Sequence, residues 1–238
     1  MKGRNTIKMK YNLISSNILQ RVFQLKVGND RGTGFIVEND GVKYIVTAKH
    51  LFKTLLYPKS TKIEVVKENG FDEIENKIFY HQNPVIDIAV IQTSYFNQHS
   101  FEVVGYEYDA LVSQEMFMLG YPYGGNGECY HINNGYPIPL VKKGILSGTI
   151  EKNMKLIIDW DNNHGFSGGP VVYRKYEEDG FSEKEYIAGV ISGYIPHEIE
   201  VTDVNSEKAI GKAEENSGLG TAFNIKYVFE IINSINKN

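Results

Sequence analysis

The sequence predicts an all-β fold built from barrels rather than from alternating β-α-β units. Short runs rich in Val, Ile, Tyr and Phe recur along the 238 residues, separated by Gly, Asn and Asp. This is the pattern of short antiparallel strands joined by turns. A chain of this length buries a sizeable core, and a pair of small barrels falls within the usual size of one folded unit. Residues 224–235 differ, because their apolar side chains recur at helical spacing. We therefore expect a C-terminal helix whose apolar face packs on the barrels.

The first clear strand signals predict a hairpin that ends at a histidine. Residues 34–37 (GFIV) and 44–50 (YIVTAKH) are apolar runs, and the second ends at His50, at a strand-to-loop junction. Farther along, residues 85–91 (VIDIAVI) place one carboxylate, Asp87, inside an apolar strand-like run. A buried carboxylate without a partner is costly. Taken alone, His50 fits an ordinary surface or core imidazole, and Asp87 fits a strand-edge residue bound by turn amides.

The most informative stretch is GFSGGP at residues 165–170, which places Ser167 between glycines. Attack of a hydroxyl on an amide carbonyl creates an oxyanion, and two backbone N–H groups must already point at it. Small residues let the backbone close around the hydroxyl without a Cβ in the way. We therefore expect the amides of Gly165 and Ser167 to be the two donors of an oxyanion hole. The alternative is a glycine-rich hairpin turn after which Pro170 starts the next strand.

A serine hydroxyl is a weak nucleophile unless a base, and a group that orients the base, accompany it. His50, Asp87 and Ser167 follow one another in the chain, each inside a local sequence that suits such a role. The other five histidines have no comparable context: His81, His99, His131, His164 and His197. We interpret the three residues together as an orienting acid, a base and a nucleophile.

Four segments together resemble the trypsin/chymotrypsin-like serine peptidase family, in its bacterial form: GTGFIV at 32–37, TAKH at 47–50, DIAV at 87–90 and GFSGGP at 165–170. Residues 119–122 and 143–148 are similar to segments of bacterial trypsin-like proteases of the heat-stress type. Residues 189–193 resemble the strand that pairs with the substrate backbone. The resemblance runs from about residue 20 to the C-terminus. It implies two packed six-stranded antiparallel β-barrels, chymotrypsin-like in arrangement, with a C-terminal helix.

The resemblance also divides the chain into three parts. Residues 1–18 are an N-terminal extension, residues 19–108 form the first barrel, and residues 109–238 form the second barrel with the helix. The active-site cleft then lies between the barrels, where ligand sites are common. The first barrel supplies His50 and Asp87, and the second supplies Ser167.

The family resemblance implies a serine endopeptidase. His50 would take the proton of Ser167 and later give it to the leaving amine, Asp87 would hold the imidazole, and an acyl-enzyme would form on Ser167. This chemistry requires no cofactor, and the histidines lack a metal-binding spacing such as His-Glu-x-x-His. Two other functions stay open. One is a catalytically silent module of the same fold that binds peptide by strand addition, and the other is ester hydrolysis or acyl transfer at the same site.

The substrate-binding residues are predicted from their positions. Asp161 lies six residues before Ser167, the spacing at which trypsin-type enzymes keep the acid that pairs with Lys or Arg. It fits equally well a turn in which the carboxylate binds local backbone amides. The rest of the expected set flanks the nucleophile or lies in the substrate-pairing strand: His164, Ile191, Ser192 and Gly193.

Composition argues against several classes of partner and location. The formal net charge is −4, which argues against a basic surface for nucleic acid. No run approaches the roughly 18 apolar residues of a membrane span. The one cysteine, Cys129, cannot form an intramolecular disulfide, and no secretory apolar stretch follows the basic N-terminus, so we expect a cytoplasmic location. We interpret Cys129 as a loop thiol rather than a nucleophile.

Control of activity is expected to involve a regulatory protein partner besides the protein or peptide substrate. Phe166 stands where zymogen-type relatives keep an aspartate that pairs with a freed N-terminal amine, so activation by N-terminal cleavage is not expected. Three polar insertions remain, at 124–136, 175–185 and 197–218. We interpret the last, which is acidic and contains glycine, as a mobile surface loop. The alternative is a lid, a regulatory element or a partner site beside the cleft.

Overall fold

The chain forms two antiparallel sheets, one after the other in sequence, followed by a helix. The computed structural model describes residues 13–99, 101, 104–106, 109–150, 154–176, 183–202 and 209–236. Residues 1–12 of the predicted N-terminal extension lie outside this part of the chain. The rest of the extension includes a short helix, α1 (Ser16–Leu19), whose N-cap Ser15 accepts a hydrogen bond from the N–H of Ile18. The prediction of a mostly β fold with a C-terminal helix is confirmed.

The first sheet contains seven strands and carries the hairpin predicted to end at the histidine. The strands are β1 (Val22–Val27), β2 (Asp30–Asn39), β3 (Val42–Thr47), β4 (Ile63–Lys67), β5 (Gly70–Ile74), β6 (Lys77–Tyr80) and β7 (Ala89–Gln92). Their order in the sheet is β5-β4-β1-β2-β3-β7-β6. A short 3-10 helix over Lys49–Leu55 follows β3.

This first sheet differs from the predicted six-stranded barrel, because it has one strand more and its pairing does not close among the described residues. Its edge strands, β5 and β6, are consecutive in the chain and only Glu75 and Asn76 separate them. The sheet therefore curls until its two edges meet at this connection. There the side-chain amide of Asn76 donates to the carbonyls of Thr61 and Ile74, both at 2.8 Å. A side chain thus bridges the place where strand pairing would close a barrel.

The second sheet is a closed barrel of six strands. They are β8 (Glu115–Gly120), β9 (Leu140–Ile150), β10 (Lys155–Asp159), β11 (Pro170–Tyr176), β12 (Glu183–Thr202) and β13 (Ala209–Asn224). Their order around the barrel is β10-β13-β12-β11-β8-β9. Two short 3-10 segments, Pro122–Gly124 and Tyr130–Asn133, lie between β8 and β9.

Strands β12 and β13 continue beyond the barrel as a two-stranded ribbon, here defined as residues 196–202 and 209–216. Pairing runs from Pro196 opposite Asn216 to Thr202 opposite Ala209. The prediction of a mobile surface loop over 197–218 is therefore wrong for the described part of that segment. The acidic, glycine-containing composition of the segment favours a loop, although residues 198–202 (EIEVT) alternate between polar and apolar side chains as in a strand.

The C-terminal helix joins the two halves of the molecule. This helix, α2 (Lys226–Ile235), follows the second barrel but contacts β6 and β7 of the first sheet. His81 Nε2 and Glu230 Oε2 lie 2.9 Å apart across this contact. Neither helix in the described chain has the length and hydrophobicity needed to cross a bilayer. The buried face of α2 joins a core cluster shared by both sheets and comprises Tyr227, Val228, Ile231 and Ile232.

Candidate active site

His50 and Asp87 are brought together by the pairing of β3 with β7. Thr47, the last residue of β3, lies opposite Ala89, the first residue of β7, so the segments beyond these strand ends are neighbours. The backbone N–H of His50 donates to Asp87 Oδ1 at 2.8 Å, and His50 Nδ1 lies 2.7 Å from Asp87 Oδ2. One carboxylate therefore holds both the backbone and the ring of the histidine, leaving Nε2 as the outward-facing nitrogen.

A third hydrogen bond to the Asp87 carboxylate comes from the other sheet. The hydroxyl of Ser192, in β12, donates to Asp87 Oδ2 at 2.6 Å. The Asp87 side chain is 17% exposed and that of His50 is 40% exposed, so the carboxylate is largely withdrawn from water. Hydrogen bonds from His50 and Ser192 offset the cost of that desolvation. The contact also ties β12 of the second barrel to the first sheet at the site.

Ser167 lies in the turn between β10 and β11, and this turn packs tightly against the first sheet. Gly168 has a φ of +85°, and a Cβ built on it would lie 2.2 Å from the carbonyl oxygen of Thr33 and 2.7 Å from the amide nitrogen of Ala48. Only glycine allows this approach and this conformation. Because Ala48 precedes His50 by two residues, the contact of Gly168 sets the distance between the turn and the histidine.

Thr33, in β2, anchors the same turn by hydrogen bonds. Its backbone N–H donates to the carbonyl of Ser167 at 2.9 Å. Its hydroxyl donates to the carbonyl of Gly165 at 2.7 Å and accepts from the N–H of Tyr121 at 3.2 Å. Thr33 is fully buried, so water does not compete for these bonds. Two carbonyls of the turn are thereby held against the first sheet.

The backbone N–H groups of Gly165 and Ser167, the two predicted oxyanion donors, have no hydrogen-bond partner among the described residues. In a trans peptide the N–H points away from the preceding C=O, so whatever binds that carbonyl also determines the direction of the N–H. The carbonyl of His164 accepts from the N–H of Tyr123 at 2.7 Å. The N–H of Gly165 therefore points to the opposite side, away from Tyr123.

The N–H of Ser167 is oriented in the same way. The carbonyl of Phe166 accepts from the N–H of Gly169 at 2.8 Å. The ring of Phe166 is fully buried and meets Trp160 edge-on, with ring centroids 5.0 Å apart. The buried ring of Phe166 therefore fixes the peptide unit between Phe166 and Ser167. Zymogen-type relatives use a charged pair at this position.

His50 and Ser167 line one cavity between the two sheets, with a volume of about 270 Å³. The hydroxyl of Ser167 donates to the carbonyl of Ser192 at 3.3 Å. No hydrogen bond joins His50 to Ser167 in the described structure. The wall facing these two residues includes Asn162, His164, Ser192 and Glu214. A hydroxyl and an imidazole thus line a space open to a ligand, and the unpaired N–H groups of Gly165 and Ser167 belong to the turn that carries the hydroxyl, an arrangement suited to acyl transfer.

Comparison of the chain with models of known protein families identifies its family. A model of the trypsin-like peptidase domain matches residues 32–177. The chain belongs to this trypsin-like family. The match runs from β2 to the end of β11, and so includes His50, Asp87 and Ser167.

Solved structures with the trypsin-like fold also resemble the chain. Rv3671c from M. tuberculosis, crystallised as a serine-to-alanine mutant in an inactive form, is 16% identical, with 93% of this chain and 89% of that chain covered and a TM-score of 0.56. The serine endoprotease from Yersinia pestis is 19% identical, with 95% of this chain and 68% of that chain covered and a TM-score of 0.56. At these identities the likeness shows the fold alone. Comparison with curated protein sequences gave no significant match.

The predicted substrate-binding residues of this trypsin-like chain separate into two groups. His164, Ser192 and Gly193 line the cavity. Ile191 does not, because its side chain is fully buried in the barrel core. Its backbone instead holds the turn that carries Ser167, since the Ile191 carbonyl accepts from the N–H of Gly168 and the Ile191 N–H donates to the carbonyl of Gly169, both at 2.8 Å.

Asp161 lies outside the described lining of the cavity, which differs from its predicted place in a pocket for Lys or Arg. Its side chain is 65% exposed and its Oδ2 lies 3.5 Å from Lys142 Nζ. Its Oδ1 accepts from the side-chain amide of Asn216 at 2.9 Å. Lys142 also donates to the carbonyl of Asp161 and to Asn163 Oδ1, both at 2.6 Å. Neighbouring side chains therefore hold this carboxylate at the surface.

Three residues of the site carry roles that the sequence did not indicate. Thr33 stood inside the GTGFIV motif, but its bonds to the turn depend on contact between the two sheets. Asn162 follows Asp161 directly and, unlike it, lines the cavity. Glu214 reaches the cavity from the ribbon, and no local sequence signal singles it out from the other carboxylates there.

Proposed function

We propose that this protein is a serine endopeptidase in which Ser167 is the nucleophile and His50 the general base. The proposal rests on the arrangement of His50, Asp87 and Ser167 at a single cavity. The imidazole of His50 is bound to Asp87 at 2.7 Å, and its outward side shares the cavity with Ser167. The N–H groups of Gly165 and Ser167, which lack partners among the described residues, supply the oxyanion donors.

The first step needs a change of partner by the Ser167 hydroxyl. In the free protein it donates to the carbonyl of Ser192. Rotation about the Cα–Cβ bond of Ser167 redirects the hydroxyl towards His50 Nε2, as is usual when catalytic hydrogen bonds form only with bound substrate. His50 then accepts the proton while Ser167 Oγ attacks the scissile carbonyl, and the carbonyl oxygen becomes the oxyanion.

The oxyanion accepts hydrogen bonds from the N–H groups of Gly165 and Ser167, which are oriented before the substrate arrives. Collapse of the tetrahedral intermediate breaks the C–N bond, and His50 gives its proton to the leaving amine. An ester to Ser167 Oγ remains. Water, activated by the same imidazole, hydrolyses this acyl-enzyme and restores the serine.

Asp87 acts through His50. Its bond to Nδ1 fixes the tautomer that leaves Nε2 free to accept a proton, and its charge stabilises the imidazolium that forms. Ser192 helps to hold the carboxylate, because its hydroxyl donates to the same Oδ2 that faces the ring. The chemistry uses side chains and backbone amides alone.

The proposal is tested by labelling with a fluorophosphonate probe and by cleavage of a mixed peptide library. We expect the wild type to be labelled at Ser167 and to cut peptides, and Ser167→Ala to lose both activities. Asp87→Asn should lower kcat about 10⁴-fold, since it favours the wrong imidazole tautomer. Ser147→Ala, at an exposed serine of β9, is the matched control and should behave as the wild type.

The same experiment separates the alternatives. Peptide cleavage that survives in Ser167→Ala would overturn the proposal. A wild type that binds peptide but resists the probe would point to a catalytically silent binding module. Labelling with turnover of esters but not of amides would point to esterase or acyl-transfer chemistry at the same serine.

We extend the proposal to control by a protein partner in a cytoplasmic setting. Cys129 is free and exposed, which suits a reducing compartment. The ring of Phe166 replaces the charged switch of zymogens, so control would have to act elsewhere, and the ribbon beside the cavity offers a surface for it. Full activity of the purified protein, unchanged by cell extract, would contradict partner control. Recovery of the native protein from a secreted fraction would contradict the location.

A further inference from the structure

The cavity beside Ser167 contains a buried oxygen without a partner. Asn162 is 4% exposed and its Nδ2 donates to the carbonyl of Gly193 at 2.6 Å. Its Oδ1 has no hydrogen-bond partner among the described residues. Rotating the amide by 180° would place two oxygens against each other, so the hydrogen bond to Gly193 fixes the assignment. An unpaired buried oxygen costs free energy, and a ligand that brings an N–H donor to this wall would remove that cost.

The ribbon turns its acidic side towards the same cavity. Residues directly opposite each other in an antiparallel pair lie on one face, and the face alternates along each strand. Pro196 and Glu214 both line the cavity. Glu198 lies opposite Glu214, and Glu200 lies opposite Lys212, so all of these residues share the cavity side of the ribbon. That side carries three carboxylates and one ammonium group.

Among these groups Glu214 is the carboxylate on the cavity wall. Lys212 Nζ lies 2.6 Å from Glu198 Oε1, so these two charges offset each other. Glu214 has no ion-pair partner among the described residues. The described lining of the cavity contains no lysine or arginine. A carboxylate without a neighbouring cation attracts positive charge and repels negative charge.

The size of the cavity limits what enters it. Its volume of about 270 Å³ is below the roughly 300–1,000 Å³ of pockets for drug-sized ligands, and suits one amino-acid side chain. We propose that this cavity receives a Lys or Arg side chain of the substrate, whose cation pairs with Glu214 and donates a hydrogen bond to Asn162 Oδ1. This inference rests on the proposed endopeptidase function. Asp161 has no part in it, because Lys142 and Asn216 hold its carboxylate elsewhere.

The test uses four peptides that differ only in the residue before the cleaved bond, which is Arg, Lys, Gln or Glu. We expect wild-type kcat/KM to be about tenfold higher for Arg and Lys than for Gln, and lowest for Glu. Glu214→Gln should lower the Arg-to-Gln ratio about fivefold, the effect of removing one partly exposed ion pair. Raising the salt concentration should reduce the ratio in the wild type, because a solvent-facing charge is screened.

Two control variants each remove a different carboxylate near the cavity, with the same change from acid to amide. Glu215→Gln removes the next carboxylate along β13, which lies on the opposite side of the ribbon, and should leave the ratio unchanged. Asp161→Asn should also leave it unchanged. The inference is overturned if the wild type shows no preference for Arg over Gln. It is equally overturned if Glu214→Gln keeps the preference, or if Glu215→Gln loses it to the same extent.

The outcomes for the inference and for the proposed function can be told apart. Fluorophosphonate labelling of Ser167 with no preference for Arg overturns the inference alone. Absence of labelling and of cleavage overturns the proposed function, and binding then tests the cavity by itself. In calorimetry, the Ser167→Ala protein should bind the Arg peptide more tightly than the Gln peptide, and equal affinities would overturn the inference.

Discussion

Thr33 donates two hydrogen bonds to the turn that carries Ser167, from its backbone N–H to the carbonyl of Ser167 and from its hydroxyl to the carbonyl of Gly165. The donor belongs to the first sheet and both acceptors belong to the second. Thr33 therefore helps to set the distance between His50 and Ser167. Precise placement of a nucleophile contributes several kcal/mol to catalysis, so under the proposed function this contact would link packing between the sheets to activity.

Replacing Thr33 by valine tests that link, because the two side chains have nearly the same shape. Thr33→Val leaves the carbonyl of Gly165 and the N–H of Tyr121 without their hydroxyl partner. We expect a loss of about 1–3 kcal/mol in unfolding free energy and a fall in kcat of roughly 10- to 100-fold. Denaturant titration and peptide hydrolysis measure the two effects. Thr54→Val removes an exposed hydroxyl bonded to Asp30 and should change neither, and an unchanged kcat in Thr33→Val would rule out the positioning role.

Gly168→Ala tests the close approach of the two sheets. The new Cβ would meet the Thr33 carbonyl oxygen at 2.2 Å, in a conformation with φ of +85°. The backbone strain alone costs about 1–2 kcal/mol, and relief of the clash has to move the turn away from β2. We expect labelling of Ser167 by a fluorophosphonate to slow by about 100-fold. Gly148→Ala, at a glycine with no atom within 4 Å of the added Cβ, should be labelled at the wild-type rate, and equal rates for both variants would contradict this account.

His99 predicts a pH dependence of stability. Burial, followed by the nearby charges of Lys43 and Lys67, lowers the pKa of His99 below its ordinary value. The unfolded chain, with a pKa near 6.5, then binds the proton more readily than the folded protein. The contribution of His99 to the unfolding free energy should therefore be constant above about pH 7 and decrease as the pH falls from about 6.5 through the lower folded pKa.

The measurement is the denaturant midpoint at several pH values between 8 and 5. In His99→Gln the curve should be flatter over this range than in the wild type. His131→Gln, at an exposed histidine, provides the comparison and should keep the wild-type slope. A slope in His99→Gln as steep as that of the wild type would show that other groups carry the dependence.

The contact of α2 with the first sheet predicts the effect of a core truncation. Ile231 is 2% exposed within the cluster shared by both sheets. Ile231→Ala should lower the unfolding free energy by about 2–5 kcal/mol through loss of burial and a residual cavity. Ile210→Ala removes a side chain that is 67% exposed and should stay within about 0.5 kcal/mol of the wild type. Similar losses in both variants would argue against a core role for the helix.

The sequence predicted best those features that a short segment specifies by itself. His50 ends a strand, Asp87 interrupts an apolar run, and Ser167 lies among glycines, so each has a local signal. Their meeting in one region follows from strand pairing, which brings the ends of β3 and β7 together. The placement of Asp161 could not be read in the same way, because it depends on Lys142 and Asn216, which are distant in the chain.

The differences in fold have similar causes. The composition of the ribbon segment, which is acidic and contains glycine, favours a loop, and only the pairing of residues 196–202 with residues 209–216 shows that it is a ribbon. At the connection between β5 and β6 the side-chain amide of Asn76 bonds to Thr61 and Ile74, and no sequence pattern predicts these bonds. In both places contacts with distant residues decide the structure, and local propensity is a weak guide.

The position of α2 has a consequence for synthesis on the ribosome. Its residues come after both sheets in the chain, yet they cover apolar surface of the first sheet, including the neighbourhood of β7. While a nascent chain emerges N-terminal end first, that surface stays uncovered until residues 226–235 have been translated. The half that carries His50 is translated first but completes its packing last, and the proposed hydrolytic activity would be delayed until the polypeptide has been extended past both sheets.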